Sequence, residues 1–160
     1  MKFCPICGNN LIIAEEGGKQ RQRCSSATCN YVFWDNPVPV VAAIVEIDDR
    51  VVMARGVGWP EGMYGLITGF LEKEETPESA ILREVKEELN LIGEIVSFIG
   101  YYSFYEMNQL ILAFHVKAEG EIITNEEISE IMLVPPEELE PWPFGTGYAI
   151  RDWLDKRGDR

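Results

Sequence analysis

The chain has 160 residues and a formal net charge of −13, from 27 Asp and Glu against 14 Lys and Arg. That surface excludes a broad, sequence-independent grip on nucleic-acid backbones, and a polyanionic ligand would need metal ions to bridge it. The length suits one domain with a small appendage, and the absence of any apolar run of about 18 residues or of a signal segment ahead of Cys4 points to a cytoplasmic protein.

Residues 1–33 are rich in Cys, Gly, Asn, Gln and Ser and too poor in apolar side chains to build a core without a staple. All four cysteines fall here, Cys4, Cys7, Cys24 and Cys29, in the spacing C-x2-C-x16-C-x4-C. Two short-spaced pairs at this separation form a zinc-ribbon pattern. Two disulfides are the alternative, disfavoured in a chain without a secretion signal. A closed four-thiolate site leaves no open coordination position, so the expected Zn2+ is structural. Residues 11–13 and 20–23 read as hairpin strands around Gly17-Gly18, and 31–34 lead outward. Asp35-Asn36-Pro37 reads as a turn, giving a zinc ribbon over 1–34 and a main domain over 35–160.

The run Val38–Ile47 reads as a buried strand, with Asp48-Asp49-Arg50 turning into Val51-Val52-Met53-Ala54. Residues 56–69 are loop-like, rich in glycine with Trp59 and Tyr64 among them. Thr76 is an N-cap candidate with Pro77 at the first helical position, and the helix should reach about Leu89. Two strands are expected over Ile92–Phe104 and 109–116, and a short one over 131–134. A Pro-started turn over 135–139 and a helix over 147–156 follow. Strands on both sides of a central helix, with a second helix at the end, indicate an α/β sandwich on a mixed sheet.

On a helical wheel Glu84, Glu87 and Glu88 fall within one arc of about 100°, so they can share a ligand. Ile81, Leu82, Val85 and Leu89 occupy the neighbouring arc as a core face, and Ala80 lies among the carboxylates, leaving room above them. A solvated acidic face is the alternative, and like-charge repulsion of only about 0.2–0.5 kcal/mol per pair does not exclude it. The surrounding residues decide. Gly69 is followed at fixed spacing by Glu75, by Arg83-Glu84-Val85-Lys86-Glu87-Glu88 and by Asn90-Leu91.

At these positions the chain resembles the Nudix hydrolase family, whose signature is G-x5-E-x7-R-E-U-x-E-E-x-G-U with U aliphatic. It departs at Asn90, where the family has Gly, but Asn tolerates a left-handed helix end best after Gly. Glu74 also stands where Gly is common. The resemblance implies an α/β/α sandwich in which Glu84, Glu87 and Glu88 bind Mg2+ or Mn2+, with the Gly69 carbonyl as an additional ligand. It gives Arg83 an orienting role beside Glu75. Hard divalent cations take oxygen ligands and bridge phosphate oxygens, in keeping with that division. The implied reaction is attack of water on a nucleoside diphosphate linked to another moiety, releasing a nucleoside monophosphate. Family members often carry a further carboxylate downstream as the base. Here residues 125–130 match that region, and Glu127 is favoured over Glu130, the alternative being plain surface glutamates.

A ribbon followed directly by such a domain resembles the NADH pyrophosphatases and the plastid FAD pyrophosphatases. The former carry an S-Q-P-W-P-F-P-type motif soon after the signature, where this chain has Tyr101-Tyr102-Ser103-Phe104-Tyr105-Glu106. A Pro141-Trp142-Pro143-Phe144 run lies far past that point and reads as a packed turn. NADH, FAD, ADP-ribose and other ADP-linked compounds therefore remain open as substrates. A ribbon-anchored nucleotide-sensing regulator and a decapping hydrolase acting on nucleotide-capped RNA are the competing readings, and a homodimer is expected on resemblance alone. His115 reads as a partly buried strand residue, and Trp59, Tyr64, Phe70 and Tyr105 as packing aromatics rather than ring-stacking ligands.

Overall fold

A computed structural model describes residues 1–158 and divides the chain into two compact units, Met1–Asn36 and the remainder from Pro37. In the first, β1 (Leu11–Glu16) and β2 (Lys19–Cys24) form an antiparallel hairpin that β3 (Val32–Phe33) extends. Gly17 and Gly18 make its turn at φ 60° and 75°, a region that side chains rarely enter. Among the described residues of this unit, the only buried side chains are Cys4 and Cys24.

The second unit is built on a mixed sheet of β4 (Val38–Ile47), β5 (Arg50–Gly56), β6 (Ile67–Phe70), β7 (Ile92–Phe104), β8 (Gln109–Glu119) and β9 (Ile128–Val134). The order is β7-β8-β4-β5-β9, with β6 also paired to β4. β4 and β8 run parallel, and every other pairing is antiparallel. Central β4 is covered on both faces, which is why its sequence is a continuous apolar run. Its Val41, Ala43, Val45 and Ile47 face one layer, with Ala80, Ile81, Val85 and Leu89 of α1 (Pro77–Leu89). Val40, Ala42 and Ile44 face the other, with Ala149, Ile150 and Trp153 of α2 (Gly147–Gly158). The two helices thus sandwich the sheet, and each fully buried aliphatic chain contributes roughly 1.5–3 kcal/mol.

The ends of α1 follow from its sequence. The Thr76 hydroxyl accepts the Ser79 N–H at 3.2 Å while Ser79 Oγ accepts the Thr76 N–H at 3.0 Å, a reciprocal cap that stabilises by about 1 kcal/mol. Asn90 closes the helix in the left-handed conformation, φ 58° and ψ 18°, with its N–H on the Lys86 carbonyl. Glu74 is likewise left-handed at φ 65°, the conformation for which Gly is the unstrained choice.

Several expectations differ from what is observed, among them β8, which runs on to Glu119 rather than ending at 116. The segment 56–69 is not all loop, because Ile67–Phe70 forms β6, paired with Val40–Ala43. β9 begins at Ile128, three residues before the expected strand. Ala80 is fully buried among the core side chains of the α1 layer rather than lying among the carboxylates.

At the far end of β4, the buried Glu46 accepts from His115 Nε2 at 2.7 Å and pairs with Arg157 at 3.0 Å. Burial opposes its ionisation, yet Arg157 and His115 together hold its carboxyl below the usual range. Burial also lowers His115. Arg157 thus ties α2 to the sheet through Glu46, and His115 adds an edge-on ring contact to Trp153 at 5.3 Å.

Candidate active site

Gly69 sits in β6 opposite Val41, directly beneath α1. A Cβ at this position would fall inside the Glu84 carboxylate, so glycine is required for the helix to lie this close. The close approach places Glu84 against the sheet with its side chain 13% exposed, while Glu88, one turn on, is 7% exposed and Glu87 remains largely in solvent.

Arg83 organises the surroundings. Its Nε and Nη2 clamp both oxygens of Glu75 at 2.9 and 3.0 Å, Nη1 reaches Glu84 at 2.8 Å and Glu87 at 3.1 Å, and Nη2 also donates to the Phe70 carbonyl. Bidentate pairing of this kind fixes geometry as well as charge. Glu75 is held below the usual carboxylate range by Arg83.

Glu88 has no such partner. Among the described residues no donor meets its carboxylate, and burial, followed by the charges of Glu84, Glu127 and Glu87, pushes its pKa up to about 8. Glu84 is raised as well, mainly by burial, with Arg83 opposing. A buried carboxylate facing three others without a cation is costly, and a divalent cation would remove that cost. The donor set, all oxygen, fits a hard ion. Arg83 pulls Glu84 and Glu87 towards itself, and these carboxylates do not gather as tightly as the thiols described below.

The loop before β9 completes the site. Asn125 N–H reaches the Glu88 carbonyl at 3.3 Å, and Asn125 Oδ1 accepts the Glu127 N–H at 3.0 Å. The Glu127 carbonyl accepts from Val57 at 2.8 Å. Glu127 is thereby tied to the end of α1 and lines the same cavity, of about 850 Å3, as Glu84, Glu87 and Glu88. Glu130 is occupied elsewhere, paired with Arg55 at 2.8 Å and bonded to the Tyr64 hydroxyl, whose proton it holds more tightly.

The cavity also contains residues that sequence reasoning set aside. Trp59, Tyr64 and Phe70 line it, whereas Tyr105 is 86% exposed and does not. Trp142 and Phe144, read as a packed turn, line it together with Phe104. Asn125 was missed altogether, and its only sequence signal is adjacency to the acidic segment.

In the first unit the four thiols are free, and their sulfurs lie within 4.8 Å of one another, the one His, Cys, Asp or Glu group among the described residues gathered so closely. Cys7 and Cys24 sulfurs are 3.4 Å apart, and Cys4 and Cys29 sulfurs 3.8 Å. The Asn9 amide and backbone N–H lower Cys7 to about 6. The Ser26 N–H favours the Cys24 thiolate, but burial and the neighbouring sulfurs push that thiol up to about 12. Four soft donors at this separation can hold a metal ion.

A family model described as the NUDIX domain matches residues 36–153. A NAD-capped RNA hydrolase NudC of Pseudomonas fluorescens is 26% identical over 150 residues, covering 92% of this chain and 53% of the relative. That of Pseudomonas syringae pv. tomato is 26% identical over 161 residues, covering 98% and 56%. The chain thus spans about half the length of these curated relatives. A crystal structure of a NUDIX hydrolase from Nitrosomonas europaea superposes with a TM-score of 0.82 at 26% identity, over 99% of this chain and 93% of the other. A UDP-X diphosphatase structure shares the fold, with a TM-score of 0.63 at 23% identity over 84% and 68%. Among the described residues no helix is long and apolar enough to cross a membrane.

Proposed function

The chain belongs to the NUDIX family, and from that premise we propose that it hydrolyses the diphosphate bond of a nucleoside diphosphate linked to a second moiety, releasing a nucleoside monophosphate. The observation that carries this reading is the unpartnered, buried Glu88 beside Glu84, Glu87 and Glu127 in one large cavity. A cavity of roughly this size matches a dinucleotide-sized ligand.

Glu84, Glu87 and Glu88 would hold Mg2+ or Mn2+, with the Gly69 carbonyl as a further ligand. When bound, the cation supplies positive charge to the phosphate oxygens and acidifies the attacking water. Glu127 takes the proton of that water as general base, since Glu130 is already engaged by Arg55 and Tyr64. Arg83 positions Glu84 and Glu87 through its clamp on Glu75. Cys4, Cys7, Cys24 and Cys29 hold a structural Zn2+, and four free thiols suit a reducing cytoplasm. Division of labour between a ribbon over 1–34 and a hydrolase domain over 35–160 belongs to the same proposal.

NADH, FAD, ADP-ribose and diadenosine polyphosphates, each incubated with magnesium or manganese and resolved by chromatography, test the reading. A nucleoside monophosphate from at least one of them supports it. Binding without cleavage of any would favour a nucleotide-sensing regulator instead. The name carried by the NudC relatives favours one second reading, cleavage of the same bond at an NAD-capped RNA end. A homodimer remains our expectation, supported by exposed Val96, Phe98 and Tyr101 on edge strand β7. Sedimentation equilibrium tests it.

A further inference from the structure

The cavity has two unlike walls from opposite layers of the sandwich. The carboxylates come from α1 and the loop before β9, whereas Phe104 and Trp142 pack with the α2 layer and Phe144 stacks on Phe104. Phe104 and Phe144 lie nearly parallel, with ring centroids 6.0 Å apart and 28° between planes. That spacing admits no third ring between them, so any stacking ligand must use an outer face. Phe144 is 46% exposed, and exposing this much aromatic surface inside a cleft leaves an apolar face without a partner.

The turn that carries Phe144 is fixed on several sides. The Tyr148 hydroxyl donates to the Pro143 carbonyl at 2.7 Å, and the Gly147 N–H to the Phe144 carbonyl at 3.0 Å. Gly145 is left-handed at φ 51°, and a Cβ there would press on the Phe104 ring at 3.3 Å. Gly147 admits no side chain either, because one would enter the Trp142 carbonyl. These contacts fix the turn that presents Trp142 and Phe144 to the cavity, and an ordered backbone lowers the cost of binding against it.

We propose that Phe144, backed by Phe104 and flanked by Trp142, is the platform on which the planar heterocycle of the substrate stacks while its diphosphate lies at the carboxylates. This rests on the reading that the ligand is a nucleotide. A stacking face accepts any base, so the platform selects nucleotides from simple sugar phosphates rather than one base from another.

The test is calorimetric titration of the whole chain, in fixed magnesium, with AMP and with ribose 5-phosphate. Phe144→Ala, Phe144→Trp and Phe104→Leu are compared with wild type, and thermal melts confirm that each folds. Wild type should prefer AMP by about 5- to 100-fold, Phe144→Ala should abolish that preference, and Phe144→Trp should restore it. Phe104→Leu should weaken the preference partially. Equal binding of both ligands by wild type, or an undiminished preference in Phe144→Ala, overturns the platform even if dinucleotides are cleaved. A preference lost in Phe144→Ala upholds the platform even if no dinucleotide is cleaved, and then only the hydrolytic reading falls.

Discussion

The two units of the chain gather candidate metal ligands by opposite means. In Met1–Asn36 four thiols lie within 4.8 Å of one another, yet only two of them are buried and no apolar core stands behind them. In the unit from Pro37, apolar layers cover both faces of the sheet without any ligand, and the carboxylates gather less tightly than the thiols, with Arg83 bridging Glu84 and Glu87. On the proposed reading a metal held by the four thiols would be the core of the first unit, so that binding and folding would be one event. In the unit from Pro37 the fold comes first and bears the cost of a buried acidic cluster that a proton on Glu88 or a bound cation would relieve.

The sharpest way to break this contrast is at Glu88. On the proposed reading Glu88→Gln, which would remove a metal-holding oxygen, should lower kcat/KM by at least about 10³-fold while leaving the fold intact. Steady-state kinetics together with a thermal melt check both halves. A parallel loss of folding would contradict the separation of fold from site. Next in size, Glu127→Gln should cost about 10²- to 10⁴-fold in kcat, while Glu130→Gln, measured alongside, should leave kcat nearly unchanged.

For the ribbon, Cys24→Ser should unfold residues 1–36 and lose stoichiometric zinc by elemental analysis. Amide spectra of the unit from Pro37 should stay native. Loss of the whole fold would show that the two units are not energetically separate.

The smallest effect is a pH signature. In the metal-free protein Glu88 titrates near 8, above its ordinary 4.5, so the folded state retains a proton that the unfolded chain has released. The associated stability is present below about 4.5, declines as pH rises, and is lost above about 8. The melting temperature of wild type relative to Glu88→Gln should therefore fall between pH 5 and pH 8, by on the order of 10 °C. Saturating magnesium at pH 8 should restore it in wild type alone.

What the sequence disclosed depends on where the determining interactions lie. β4 was legible end to end because burial on both faces writes itself as an uninterrupted apolar run, and α1 because Thr76-Pro77 and Asn90 mark its ends locally. The glutamates shared one face by helical geometry alone. β6 was hidden, since four residues that include Gly69 at the end of a glycine-rich stretch are too short a run to stand out, and their strand partner Val40–Ala43 is distant. Ala80 was misplaced because a wheel gives angles but not the depth of packing. Trp142 and Phe144 were dismissed for a related reason: a turn that packs and a turn that lines a cavity have the same composition. Only the fold back of α2 onto the sheet separates them.

Manganese binding followed by electron paramagnetic resonance tests the central claim most directly, using zinc-loaded wild type and Glu88→Gln at pH 8. Stoichiometric Mn2+ uptake by wild type, weakened at least about tenfold in the variant, is the predicted result. Equal uptake by both proteins, or none by wild type, would contradict the acidic face of α1 as the seat of the cation.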